Sequence, residues 1–305
     1  MEQQKRLLRS WMFVPGDRQR MIEKALTLPV DAIMMDIEDG VTPNEKEIAR
    51  RQIAGSLDMV ASQLKSNPGY RTPARFVRTN AVGSTRMIED FKAAVRHGLE
   101  GLVIPKVETV AQIRTVEDEL GRAEVAQHMP GGSVKLLVAI ETPIGLFNAY
   151  EIVSSSPRIV GLMFGAEDFT REMNLPVRRT GEAVDLIYAR SHLATAAAAA
   201  HVQAVDGVWV DLNDMEGLNR YAHQARRLGM SGISIIHPKQ IEAANAAFTP
   251  AKEDIEYARA VLKAFEEARA QGHGAVAFRG QLLDYPIVDR ARQTMTLAKM
   301  LGVAE

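Results

Sequence analysis

Two apolar runs in this sequence end on acids. KLLVAIETPIG, from Lys135 to Gly145, meets Glu141 where its hydrophobic stretch stops, and RIVGLMFGAEDF, from Arg158, closes on Glu167 and Asp168. Acids are poor strand residues and costly to bury unpaired, so two such endings suggest a built site. On adjacent strands, Glu141 and Asp168 would stand some ~5 Å apart sideways. Carboxylates that close repel unless a proton or a cation lies between them. The chain has no cysteine, so any metal must be held by oxygen or imidazole ligands. With no HxxxH pair either, an oxygen-ligated octahedral ion such as Mg2+ fits best, with Mn2+ as its substitute. The competing reading is that each acid caps a helix or pairs with Arg78 or Lys106.

Other strand-like runs also deliver polar groups at their ends: Asp17, then Asp36, Glu38 and Asp39, then Arg78 and Asn80, Lys106, Asp211 and His237. Arg78 suits a substrate carboxylate or a developing oxyanion. Its alternative is an ion pair with Asp36 or Glu38. Lys106 reads as a neutraliser of acidic neighbours before a Schiff-base lysine, and His237 as a hydrogen-bonded structural histidine before a base.

These positions need strands to hold them. Runs begin at Ser10 (SWMFVPG), Asp31 (DAIMMDIEDG), Ala74 (ARFVRTN), Gly101 (GLVIPKV), Lys135, Ile159, Gly207 (GVWVDLND) and Gly232 (GISIIHP). Most are nearly continuous in apolar residues, as parallel strands covered on both faces are. Helical patterns fill the gaps: Asp17 to Leu28 with Asp17 as cap, Glu45 to Leu64, Ser84 to His97, Glu182 to Val202 with its packed alanines, and Gly217 to Leu228. Eight β-then-α units predict an α/β fold, a TIM (β/α)8 barrel spanning 1–248. An open doubly wound sheet is the alternative, although no GxGxxG opens a helix. Residues 249–305 read as a C-terminal helical and loop extension, with Thr249 capping its first helix, that covers a barrel or docks on a neighbour.

Composition narrows the partners. Lys+Arg 37 against Asp+Glu 38, a net charge of -1 and no long single-sign block leave no basic footprint for nucleic acid. The N-terminus lacks the apolar core of a signal peptide, and no apolar stretch approaches the ~20 residues that span a bilayer. The expected compartment is the cytoplasm, with no membrane partner.

At these residues the chain resembles the citrate lyase β-subunit and malyl-CoA lyase group of the HpcH/HpaI aldolase superfamily. The matching segments are RSWMFVPGDR, MMDIEDGVTPNEKEIAR, FVRTN, IPKVET, AIETPIGLFNAYEI, GLMFGAEDF, LGMSGISIIHPKQI and GAVAFRGQLLDYPIV. The resemblance implies a TIM barrel binding Mg2+ through Glu141 and Asp168. It implies that Arg78 contacts substrate and that the backbone from Gly165 through Ala166 and Glu167 to Asp168 helps receive a small keto acid. It also implies trimers or hexamers in which the extension crosses a subunit boundary, with Asp284 of GQLLDYP as acid/base. The expected reaction is reversible Claisen cleavage of a 3-hydroxyacyl-CoA. The alternatives are a citryl-thioester subunit served by an acyl-carrier protein, and thioesterase or malate-synthase output. Gln281 stands where many lyases of the group carry lysine. Arg178 and Arg179 read either a distal carboxylate or a CoA phosphate, or belong to a solvated loop.

Overall fold

The computed structural model describes residues 7–176, 183–272 and 274–304. Contacts divide the described residues into two compact units, Leu8–Asn245 and a second built from Ala246 onward.

The first unit is a closed parallel barrel of eight strands in sequence order. These are β1 (Ser10–Pro15), β2 (Ala32–Asp36), β3 (Ala74–Arg78), β4 (Gly101–Ile104), β5 (Lys135–Ile140), β6 (Ile159–Phe164), β7 (Gln203–Asp206) and β8 (Gly232–Ile235). Closure comes from β1 pairing with β8, Ser10 opposite Ile233. Alternate residues fill the interior: Trp11, Met34, Phe76, Val103, Leu137, Ala139, Met163 and Val205 form one buried cluster. Their neighbours, such as Ile33, Met35 and Val77, are equally buried on the other face of the same strands. Both faces being covered explains the near-continuous apolar runs, and the closed order excludes the open doubly wound sheet.

Several expectations shift. β7 is Gln203–Asp206, whereas the aromatic run from Gly207 leaves the sheet. The pairing of Gly161–Met163 with Gln203–Val205 fixes that register. Trp209 instead turns its indole toward the Asp214 carbonyl, to which it donates at 3.0 Å. The first helix is Gln19–Ala25 without a side-chain cap. Asp17 does not cap it, because its side chain is turned inward and pairs with Arg18 at 3.2 Å. The helix expected from Ser84 is Met87–Ala94. The alanine-rich helix is Ile187–Ala199; its expected start at Glu182 lies outside the described residues.

The second unit holds helix Lys252–Ala270, an antiparallel hairpin of β9 (Val276–Phe278) and β10 (Gln281–Leu283), and helix Tyr285–Met300. Arg279 and Gly280, both at positive φ, make the two-residue turn such a hairpin requires. Ala258, Val261, Phe265, Leu283 and Val288 form its core. Thr249 is not the cap of the first of these helices. Asp254 Oδ2 accepts from Ala251 N at 3.4 Å and sets the start beyond Pro250. Among the described residues no helix is long and apolar enough to cross a membrane.

Candidate active site

The last residues of β2 and β3, Asp36 and Arg78, are register partners. Asp36 is therefore placed to bind the guanidinium edge-on: Arg78 Nε donates to Oδ1 and Nη2 to Oδ2, both at 2.8 Å. The same carboxylate accepts from Glu38 N and Gly40 N, each at 2.9 Å, and so folds the next residues back over the strand end. Gly40 must lack a side chain, since a Cβ there would lie 2.3 Å from Asp36 Oδ2. Glu38 then reaches Arg78 Nη1 at 3.0 Å, and the guanidinium stacks over Phe13, 4.8 Å from the ring centroid. The ion pair with both acids is thus formed. Hydrogen bonds to Asp36 engage two of the five N–H donors of an arginine, and Glu38 Oε2, which no donor reaches in hydrogen-bond geometry, is held by charge. Burial opposes the charge on Arg78, but Asp36 and Glu38 more than offset it and raise its pKa.

Lys106 follows β4 at φ 52, in the left-handed region that non-glycine residues rarely adopt. There its ammonium donates to Glu38 Oε1 at 2.6 Å and Asp39 Oδ2 at 2.9 Å, and lies 3.8 Å from Asp168 Oδ2. Burial works against its charge, but the bonds to Glu38 and Asp39 prevail and raise its pKa. A lysine so held is a neutraliser, not the deprotonated amine that Schiff-base chemistry needs.

Glu141 directly follows β5. It is 3% exposed, and its Oε2 is buried with no hydrogen-bond partner. Burial, with Glu38 and Asp168 adding repulsion, pushes its pKa up to about 8 against the pull of Arg78 and Lys106. Glu38 is also raised, by burial first, with Arg78 and Lys106 opposing. The close approach of β6 depends on Gly165, whose Cβ would stand 2.3 Å from Glu141 Cγ.

Asp168 is not at a strand end. It sits in the first turn of helix Ala166–Glu172, where an acid complements the helix dipole. It pairs with Arg171 at 2.5 Å. Gly165 N donates to Ile140 O at 2.9 Å, so this N–H is spent on the sheet and does not receive a substrate. Ala166 and Asp168 carry N–H groups of the helix's first turn, where a helix supplies no acceptor of its own. Glu167 is exposed.

Other candidates have partners of their own. Asn80 binds the buried Asp90 through Nδ2 at 2.6 Å and N at 2.8 Å. His237 Nδ1 accepts from Lys239 N at 3.1 Å and caps a short helical turn, the structural role. Asp211 lies exposed beyond β7, with Oδ1 accepting from Asn213 N. Arg178 and Arg179 lie outside the described residues. In the second unit, Asp284 is exposed and caps helix Tyr285–Met300, accepting from Ile287 N at 3.3 Å. Gln281 there accepts from Tyr257 Oη at 3.1 Å.

Sequence reasoning gave no role to Lys46, whose Nζ donates to the carbonyls of Ile37 at 2.5 Å and Glu38 at 2.6 Å. Its targets are backbone oxygens, which leave no residue-type signal. It also passed over the fully buried pair of Arg190 with Asp206, at 2.6 Å. There the signal existed: QAVD ends a strand on aspartate just as AIMMD does.

The donor set fits a divalent cation. A buried carboxylate oxygen without a donor calls for a proton or a positive ion. Among the described residues no three His, Asp or Glu side chains converge as a metal cluster. Glu141 and Asp168 offer a two-carboxylate share, the usual protein contribution to a hydrated Mg2+.

Comparisons with known proteins identify the family. The HpcH/HpaI aldolase/citrate lyase family matches residues 9–238. The citrate lyase subunit beta of Escherichia coli K12 is 36% identical over 300 residues, covering 98% of this chain and 96% of that protein. The mitochondrial citramalyl-CoA lyase of Mus musculus is 32% identical over 305 residues, covering 95% and 86%. A crystal structure of CitE from Mycobacterium tuberculosis with magnesium, acetoacetate and coenzyme A superposes with a TM-score of 0.77 at 28% identity, covering 96% and 98%. With a closed barrel, a carboxylate rim and matches of this extent, the chain belongs to the HpcH/HpaI aldolase/citrate lyase family and is a lyase.

Proposed function

We propose that this chain is a divalent-metal-dependent carbon–carbon lyase that cleaves a 3-hydroxyacyl-CoA, of the malyl or citramalyl type, into an acyl-CoA and a small keto acid. The observation that carries the proposal is Glu141: a buried carboxylate with an unpartnered oxygen, pushed up to about 8 and set in the field of Asp168. Glu141 and Asp168 would hold the ion, Mg2+ or in its place Mn2+, which when bound supplies Lewis acidity to the hydroxyl and carboxylate oxygens of the substrate acid. The CitE structure in complex with magnesium, acetoacetate and coenzyme A supports this ligand class.

The rest is work for the chain's own groups. As the substrate hydroxyl gives its proton to solvent and closes to the keto acid's carbonyl, the electron pair of the breaking carbon–carbon bond moves onto the thioester and charge develops on the enolate oxygen. Arg78, clamped by Asp36 and Glu38 with donors to spare, is preorganised to receive that charge. Asp284 returns a proton to the enolate carbon, or takes one from the acyl-CoA in reverse. We assign residues 249–305 to an extension that brings Asp284 to a neighbouring subunit of a homotrimer or hexamer. The first turn at Ala166 offers N–H donors to the keto acid.

The deciding experiment follows keto-acid release from a panel of 3-hydroxyacyl-CoAs with Mg2+, with and without EDTA. EDTA-sensitive release establishes the lyase and ranks malyl against citramalyl substrates; silence across the panel removes the CoA reading. The 36% identity to a citrate lyase subunit beta favours one second reading, a subunit whose thioester rides on a separate acyl-carrier protein. Turnover of free CoA esters by the lone chain argues against it.

A further inference from the structure

We infer that Lys106 is an internal cation that competes with the metal for Asp168, weakening metal binding to the free protein. The inference rests on the assignment of Glu141 and Asp168 as the metal carboxylates.

Three observations carry it. The ammonium lies 3.8 Å from Asp168 Oδ2, the oxygen left over when Arg171 pairs with Oδ1 at 2.5 Å. It cannot swing away without losing its bonds to Glu38 Oε1 and Asp39 Oδ2, at 2.6 and 2.9 Å. Its backbone is held at φ 52, a conformation kept only where the surroundings enforce it. Placed here, it bonds Glu38 and Asp39 and faces Asp168, drawing those three acids together before any ion arrives. The same positive charge then repels the incoming ion.

This role has a sign that a structural role lacks. Removing an ordinary scaffold lysine loosens the site and weakens metal binding. Removing a competing charge strengthens it. Even near the bulk-water end of the dielectric range, a unit charge a few ångströms from a divalent ion alters its affinity about tenfold. Lys106→Gly is the variant of choice, because glycine accepts the left-handed backbone without strain. Lys106→Met is the second, and Lys106→Arg retains the charge.

The experiment is a Mg2+ titration by calorimetry of the full-length protein, without substrate, alongside Glu141→Gln. The expected result is Mg2+ binding about tenfold tighter in Lys106→Gly, with Lys106→Arg close to wild type. Equal or weaker binding in both neutral variants overturns the inference. Freed Glu38 becoming a third ligand would also tighten binding. The tightening must therefore persist when Lys106→Gly is measured in a Glu38→Gln background, and its disappearance there overturns competition for Asp168. Wild-type protein that takes up no Mg2+, or uptake unaffected by Glu141→Gln, overturns the site assignment and this inference together. Uptake abolished by Glu141→Gln, with no tightening in Lys106→Gly, defeats only the inference.

Discussion

Two buried glutamates sit at opposite ends of β5. Glu124 closes on the residues leading into the strand: it accepts from Gly132 N at 3.0 Å and Val134 N at 2.9 Å, and Arg158 adds a two-pronged contact with both distances 2.8 Å. Glu141, at the other end, leaves Oε2 with no partner. The chemistry is the same carboxylate in the same barrel, yet the pKa values diverge. At Glu124 the Arg158 and backbone hydrogen bonds overcome burial and bring it down to about 2. At Glu141 burial wins and takes it up to about 8. The entry end of the strand spends its acid on stability, and the exit end keeps one in reserve. This is the division of labour expected of a barrel, whose sites lie at the C-terminal ends of its strands.

Exchanging each carboxylate for an amide tests that contrast most severely. Glu141→Gln should abolish EDTA-sensitive turnover while leaving the metal-free melting temperature at or above wild type near pH 7, because it removes a carboxyl that must hold a proton to stay buried. Glu124→Gln should leave metal dependence intact and cost about 3–5 kcal/mol of stability, since it takes the two-pronged partner from Arg158 and leaves only Glu117, at 4.0 Å. Calorimetry and the coupled assay on both variants decide it. If Glu141→Gln is the one that unfolds, the contrast fails.

How much of this was legible in the sequence follows from what each residue binds. Glu141 stood out because an acid after five apolar residues, Leu136 to Ile140, violates strand preference, and the pairing of Asp36 with Arg78 was readable as one option from their strand-end positions. Asp168 was found but misplaced, since GAED gives no local sign that a helix begins at Ala166. β7 was drawn too late because VWV outscores QAVD in strand preference, and only pairing with Gly161–Met163 arbitrates. Lys46 was illegible: its partners are the carbonyls of Ile37 and Glu38, which every residue carries.

A second test asks whether the cations beside the reserve acid do chemistry. Arg78→Ala should lower kcat by about 10²–10³ with Mg2+ binding retained, the signature of a lost oxyanion partner. Activity near wild type would remove Arg78 from the mechanism and leave it a mere ion pair. Asp284→Asn should keep the helix cap, as asparagine caps about as well as aspartate. It should nevertheless stop solvent deuterium from entering the acyl-CoA α-carbon. Normal exchange would dismiss the Asp284 assignment.

A smaller effect lies in the pH dependence of metal uptake. An ion can bind Glu141 only after the carboxyl loses its proton, so binding below pH about 8 releases one. Affinity should rise by up to about tenfold per pH unit on approaching that value and level off above it. A titration series across this range that stays flat would mean Glu141 is already ionised or is not a ligand.

The smallest effect, the melting temperature of metal-free protein, separates the two glutamates by sign. Glu141 has its folded pKa raised from 4.5 to about 8, so the folded state holds the proton more tightly. Its contribution is complete below pH 4.5 and is lost as pH rises through about 8. Glu124 has its folded pKa lowered from 4.5 to about 2. Its contribution is present above pH 4.5 and is lost as pH falls through about 2. Between pH 6 and 9 Glu124 is constant and Glu141 supplies a downward slope. Metal-free protein should therefore melt lower at pH 9 than at pH 6, and Mg2+ should erase or reverse the fall by favouring the ionised acid. Glu141→Gln should flatten the metal-free slope, whereas Glu124→Gln should leave it in place. An unchanged slope in Glu141→Gln would assign the effect to other groups and return the two ends of β5 to equivalence.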